Sequence, residues 1–250
     1  MGYINYNRYS LYYETMGNGE PLLMIHGNTA SSIMLKEEAL YYSKYYKVIL
    51  IDMIGHGKSK RLKVFPEDYW YENVKILSKL CDKLNLNKIN ILGVSGGAIL
   101  GLNFAIYNSQ IVNKVIADSF IGEKLTLQEA YKIKDEREIA KRNGVDQFWK
   151  SMHGEEWETV VDADSKMLIN YAKKYGDNFK NNLDKITCPV LITGSLKDNL
   201  INDIDKKLLE VAKKIKTSLT IFTSDGNHPL MISKKKFFRN IAIRFLNGNL

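Results

Sequence analysis

The stretch ILGVSGGAIL, residues 91–100, sets one serine among three glycines between two apolar runs. The residues leading into it, KINILGV (88–94), form a short apolar run of the kind that a strand buried on both faces requires. From Gly97 to about Tyr107 the chain is apolar and compatible with a helix. Ser95 thus stands on a sharp strand-to-helix turn, where only small neighbours avoid a clash. A plain capped turn accounts for the glycines, and so does a nucleophile held on an elbow. Residues elsewhere in the chain separate the two.

Working outward, short β-rich runs alternate with longer amphipathic ones. RYSLYYETM (8–16) alternates like a half-exposed strand, whereas PLLMIHG (21–27) and KVILIDM (47–53) read as buried parallel strands. A helix around Glu67 to Leu84 precedes KINILGV, and the strand VNKVIAD (112–118) follows the helix after Ser95. PVLITG (189–194) and SLTIFTS (218–224) are two further strands, each with a helical segment behind it. This alternation predicts an α/β fold with a mostly parallel sheet flanked by helices on both faces. Between Phe120 and about Leu183 the strands stop, and the chain becomes helical, charged and aromatic-bearing. Such a length exceeds an ordinary crossover and predicts a helical cap (120–183) inserted into a core formed by residues 1–119 and 184–250.

The bulk properties bound the function. At 250 residues with 45% hydrophobic content the chain sustains a sizeable core. No apolar run approaches the roughly 20 residues that cross a bilayer, and the N-terminus lacks the apolar segment of a signal peptide. The expectation is a cytoplasmic protein with no membrane partner. Cys81 and Cys188 lie in unrelated contexts, so buried free thiols are expected rather than a disulfide or a zinc site. The net charge of +8 is spread over several helices, which argues against a nucleic-acid partner and leaves a field that favours anionic substrates.

Gly93-Val94-Ser95-Gly96-Gly97 satisfies G-x-S-x-G in the strand–turn–helix context that gives the pattern meaning. A serine there needs a base. His228, in TSDGNHPLM directly after the last strand, sits where a base reaches over the sheet edge. His26 and His56 border glycines near other strand ends, and His26 reads as a structural hydrogen-bonding residue. His153 lies in the cap segment. The acid that orients the imidazole is assigned to Asp198, in the loop after the penultimate strand. Asp118 closes another strand and is the alternative, while Asp203 reads as a helix start and Asp225 lies too near His228 in the chain. An oxyanion needs two preorganised N–H donors. Gly96, after the nucleophile, supplies one, and Asn28, after PLLMIHG, supplies the other.

Five segments in this order, PLLMIHGN, DMIGHGKS, GVSGG, LITGSLKD and GNHP, give a chain that resembles the α/β-hydrolase superfamily over nearly its full length. The resemblance implies an eight-stranded, mostly parallel sheet with a cap between strands six and seven. It places nucleophile, acid and base on Ser95, Asp198 and His228 and the oxyanion donors on Asn28 and Gly96, and it implies no cofactor and no metal. Serine at the elbow sets the chain apart from the aspartate-bearing dehalogenases and epoxide hydrolases of the superfamily. Proline iminopeptidases need acids to hold a substrate amine. Glu155, Glu156 and Glu158 could serve, although a helical face of glutamates is ordinarily solvated, and the elbow differs from theirs. The expected activity is hydrolysis of small carboxylic esters or thioesters through an acyl-enzyme on Ser95. Carbon–carbon hydrolysis, lactone opening, aminopeptidase action, perhydrolysis and a non-catalytic ligand-receptor role remain open on the same residues. Phe148, Trp149 and Trp157 are expected either to wall the substrate pocket or to pin the cap to the sheet. Monomer and homodimer are both open.

Overall fold

The computed structural model describes residues 1–144 and 146–250. The strands are β1 (Gly2–Tyr6), β2 (Tyr9–Met16), β3 (Pro21–Ile25), β4 (Lys47–Ile51), β5 (Ile89–Val94), β6 (Val112–Asp118), β7 (Val190–Ser195) and β8 (Ser218–Thr223). They form one eight-stranded sheet in the order β1-β2-β4-β3-β5-β6-β7-β8. From β4 through β8 every neighbouring pair is parallel. β1 and β2 run antiparallel to each other, and β2 runs antiparallel to β4, so the sheet is mixed at that end. The seven strands legible as apolar or alternating runs are all present. β1, GYINY, shows neither an apolar run nor alternating polarity: it lies half-buried at the sheet edge and forms by pairing back on β2.

The helices are α1 (Lys36–Tyr42), α2 (Tyr69–Lys83), α3 (Gly96–Tyr107), α4 (Leu127–Arg142), α5 (Asp146–His153), α6 (Trp157–Lys174), α7 (Ile204–Lys214), α8 (Leu230–Ser233) and α9 (Lys235–Leu246). α2 is amphipathic, burying Trp70, Val74, Leu77 and Cys81 at helical spacing. α3 is buried on nearly all sides, as its uniformly apolar sequence demands, and packs on β5 and β6. One apolar cluster lies on the face covered by α2 and α3, and a second lies under α1 and α9. Among the described helices none is long and apolar enough to cross a membrane.

Helices α4, α5 and α6 stand between β6 and β7. α6 turns Val160, Ala163, Met167 and Tyr171 inward to join the main core. α4 is mostly exposed, burying only Ala130, and starts on a capping box in which Thr126 and Glu129 satisfy each other's backbone amides. Because β3, β5, β7 and β8 are mutually parallel, the segments carrying Asn28, Ser95, Asp198 and His228 all leave the sheet at its C-terminal edge.

Candidate active site

Ser95 follows β5 with φ 54° and ψ −121°, a conformation that a residue with a Cβ adopts only under strain. The strand delivers it there, and its own amide is pinned to the Asp118 carbonyl at 2.8 Å. The turn closes only because its neighbours lack side chains. A Cβ on Gly97 would sit 2.3 Å from the Ile25 carbonyl oxygen. Ser95 is thereby presented at the N-terminus of α3, where the helix dipole favours negative charge.

Asp198 and His228 are brought together from two different loops. Asp198 Oδ1 accepts the amides of Leu200 and Ile201 at 2.9 Å each. That leaves Oδ2 for His228 Nδ1, also at 2.9 Å. The His228 amide donates to Asn199 Oδ1 at 2.8 Å, which fixes the His228 loop to the Asp198 loop. Among the described residues no hydrogen bond joins Ser95 Oγ to the His228 ring, and His228 Nε2 has no protein partner.

The other three histidines have both ring nitrogens engaged. His26 Nε2 accepts the Met53 amide at 2.9 Å, and its Nδ1 donates to the Gly27 carbonyl at 2.7 Å. His153 Nδ1 accepts from Gly57 at 3.0 Å while its Nε2 donates to the Thr29 carbonyl at 3.0 Å. His56 lies against Asp164, Thr29, Ile54 and Tyr69. His26 is thus the structural residue expected from the sequence, and His56 and His153 act likewise. Asp118, the alternative acid, is fully buried and accepts from Thr193 Oγ1 at 2.7 Å and from the Met231 amide at 2.9 Å. It anchors the chain just after His228. Asp203 precedes α7, and Asp225 pairs with Lys234.

These buried groups set an acid response. Burial, aided by the neighbouring His56, pushes His26 down to about 4 and His153 down to about 3. Burial likewise pushes Asp118 up to about 6. Below pH 6.5 the unfolded chain takes up protons that folded His26 and His153 refuse, so stability is lost as pH falls toward 4 and 3. Asp118 acts oppositely, adding stability as pH falls from 6 toward its unfolded 3.8. Two depressed imidazoles outweigh one raised carboxyl, and the melting temperature is expected to fall between pH 7 and pH 5. His153→Gln should make that slope shallower in thermal melts. A melting temperature that rises on acidification would contradict the assignment.

Asn28 follows β3 and meets Gly96 across the turn. Neither amide has a protein acceptor among the described residues, and the Asn28 amide nitrogen lies 3.3 Å from the place a Gly96 Cβ would take. Asn28 Oδ1 lies 1.9 Å from that same place, so any side chain at Gly96 must displace Asn28. Gly96→Ala is expected to fold, since alanine favours the helix, but to lower kcat by about 10²–10³. Steady-state ester kinetics beside a thermal melt check this. A variant with full kcat removes both residues from the oxyanion role.

Nothing in the sequence around Asn28 names the partner of its side chain. Its Nδ2 donates to Asp164 Oδ2 on α6 at 2.8 Å, and Arg137 Nη1 on α4 donates to Asp164 Oδ1 at 2.8 Å. Asp164 is wholly buried, and the Arg137 guanidinium with His56 and Asn28 holds its carboxyl down at about 2 against the opposing effect of burial. A signal for it existed. Asp164 sits on the apolar stripe of α6, with Val160, Val161, Met167 and Leu168 three and four residues to either side.

Of the three cap aromatics, two pair with each other. Trp149 and Trp157 stack at 5.6 Å and cluster with Val161, so they pin α5 to α6. Phe148 is 40% exposed. The tryptophan packing joins one inserted helix to another rather than to the sheet. Cys81 and Cys188 are buried and unbridged, and burial pushes their thiols up to about 12 and about 11.

A family model described as the alpha/beta hydrolase fold matches residues 20–148. A putative proline iminopeptidase of Mycoplasma genitalium is 37% identical over 119 residues, which cover 46% of this chain and 38% of that protein. The chain thus spans less than half the length of that relative. Serine hydrolase BPHL of Homo sapiens is 24% identical over 257 residues, covering 96% of this chain and 84% of its own. An esterase of Exiguobacterium antarcticum superposes with a TM-score of 0.78 at 18% identity, covering 96% of both chains, a likeness of fold.

Proposed function

Because the chain belongs to the alpha/beta hydrolase fold family, we propose that it is a serine hydrolase of small carboxylic esters or thioesters, with Ser95 as nucleophile, His228 as base and Asp198 as the acid that orients it. One observation carries this reading above the rest. His228 alone among the histidines pairs its Nδ1 with a carboxylate while its Nε2 has no protein partner among the described residues. As Ser95 Oγ attacks the acyl carbon, its proton passes to His228 Nε2. The carbonyl π pair moves onto oxygen, which the amides of Asn28 and Gly96 receive. When the tetrahedral adduct collapses, His228 returns the proton to the departing alcohol or thiol. A water deprotonated by His228 then attacks the acyl-serine and frees the acid. Residues 120–183 act as a cap on a core of residues 1–119 and 184–250, shielding these steps from bulk water.

A burst of p-nitrophenol from p-nitrophenyl acetate, equal in amount to the enzyme, tests the acyl-enzyme, together with a matching acetyl mass on the peptide containing Ser95. Absence of both, with no hydrolysis of acetate, butyrate or octanoate esters, would overturn the ester reading. Lactone opening, carbon–carbon cleavage, aminopeptidase action, perhydrolysis or ligand reception on the same scaffold would then take its place.

A further inference from the structure

The loop that carries Asn28 has little backbone support. Its one internal hydrogen bond runs from the Ala30 amide to the Gly27 carbonyl at 3.3 Å. Side chains from elsewhere hold the loop instead. Asp164 takes Asn28 Nδ2 at 2.8 Å, and His153 Nε2 donates to the Thr29 carbonyl at 3.0 Å. Both belong to the helices inserted between β6 and β7, while His56, in the loop after β4, takes the Thr29 amide at 3.3 Å. A fully buried carboxylate is an expensive way to seat a helix, since an apolar residue of similar size does so at lower cost. Asp164 divides its two oxygens in a definite way. Oδ1 meets Arg137 Nη1 at 2.8 Å, and Arg137 also donates to Ser165 Oγ at 2.9 Å. Oδ2 accepts from Asn28 Nδ2 and lies 3.3 Å from His56 Nε2, while Asn28 Oδ1 rests against Gly96.

We infer that the Arg137–Asp164 pair is a positioning device for the Asn28 oxyanion donor, so that seating of the inserted helices and assembly of the oxyanion hole are one event. This rests on the oxyanion role proposed above for Asn28 and Gly96. Arg137 fixes the Asp164 carboxylate, the carboxylate fixes the Asn28 side chain, and the side chain sets where the Asn28 amide points relative to that of Gly96. Asp164 and Arg137 touch no reacting atom. Their contribution is the geometry of a donor that must meet charge developing only in the transition state, where a shift of about 1 Å costs on the order of 10²-fold in rate.

A double-mutant cycle tests this. One arm is Asn28→Ala, which cuts the tether and keeps the backbone amide. The other is the paired change Arg137→Met with Asp164→Leu, which removes both charges and leaves neither unpaired. Each arm and their combination are assayed for kcat and KM on p-nitrophenyl acetate and for inhibition by phenylboronic acid, whose serine adduct is tetrahedral and places an oxygen where the oxyanion forms. Each arm is expected to lower kcat and boronate affinity by about 10–10²-fold with little change in KM, and the combination to be no worse than either arm alone. A purely structural role predicts a lowered melting temperature with independent, multiplying effects on kcat, and that result overturns the inference. So does wild-type kcat in a folded variant of either arm. Asn28→Ala, on a loop, decides alone if the paired variant does not fold. Gly96→Ala separates the two levels. If it is impaired while both arms are intact, only the positioning inference fails; if it too is intact, the oxyanion reading fails with it.

Discussion

Ser95→Ala is expected to abolish ester turnover, lowering kcat by about 10⁶ and leaving the molecule folded. In the proposed mechanism the hydroxyl is the group that attacks. Once it is gone, His228 and the two amides can offer water only the residual catalysis of an oriented base and a preformed hole. No fold-stabilising contact of Oγ is lost, because among the described residues Ser95 is held through its backbone, its amide on Asp118 and its carbonyl on Ala98. Alanine keeps a Cβ at φ 54° and so keeps the strain. Glycine does not. Ser95→Gly is expected to be equally inactive but more stable by about 1 kcal/mol, near 3 °C in melting temperature for a chain of this size. Inactivity with raised stability is the signature of a residue held in strain for its chemistry. Paired melts and initial rates on p-nitrophenyl acetate measure both halves. A fully active Ser95→Ala would end the nucleophile assignment outright.

The sheet and the loops at its edge were legible in the sequence for a physical reason. Parallel strands buried on both faces must be unbroken apolar runs, and the loops that leave them are set by where those runs stop. Ser95, Asp198 and His228 could be placed because each lies within a few residues of such a stop. β1 was not legible because an edge strand half open to solvent needs no apolar run. Its identity lies in pairing with β2, which a local reading does not see. The tryptophans Trp149 and Trp157 illustrate a second limit. Helical spacing says that a side chain turns inward, but whether it turns toward a pocket or toward a sister helix depends on how helices cross. Asp164 marks a third. Asn28 lies 136 residues away in the chain, and only the fold makes them neighbours. An acid on an apolar stripe is visible as an anomaly, and its partner is not.

Asp198→Asn is expected to lower kcat by about 10⁴ with little effect on KM or on folding. The direction follows from how the carboxylate is held. Oδ1 accepts two backbone amides, those of Leu200 and Ile201, at 2.9 Å. An asparagine must therefore keep its carbonyl oxygen on that side and turn its NH₂ toward His228. The imidazole Nδ1, which in wild type donates to Asp198 Oδ2 at 2.9 Å, then faces a donor and becomes an acceptor. Its proton moves to Nε2, the atom that takes the proton of Ser95 in the proposed mechanism. The base is disabled by tautomer alone, with every backbone contact intact. Asp118→Asn is the control. Asp118 also closes a strand beside this site, yet its oxygens are spent on Thr193 and Met231. Its loss should lower the melting temperature and reduce kcat far less than Asp198→Asn. The two variants compared in the same assay distinguish loss of the His228 partner from loss of a buried carboxylate beside the site. If Asp198→Asn keeps near-wild-type kcat while Asp118→Asn is inactive, the acid belongs at the end of β6 and the assignment made here is reversed.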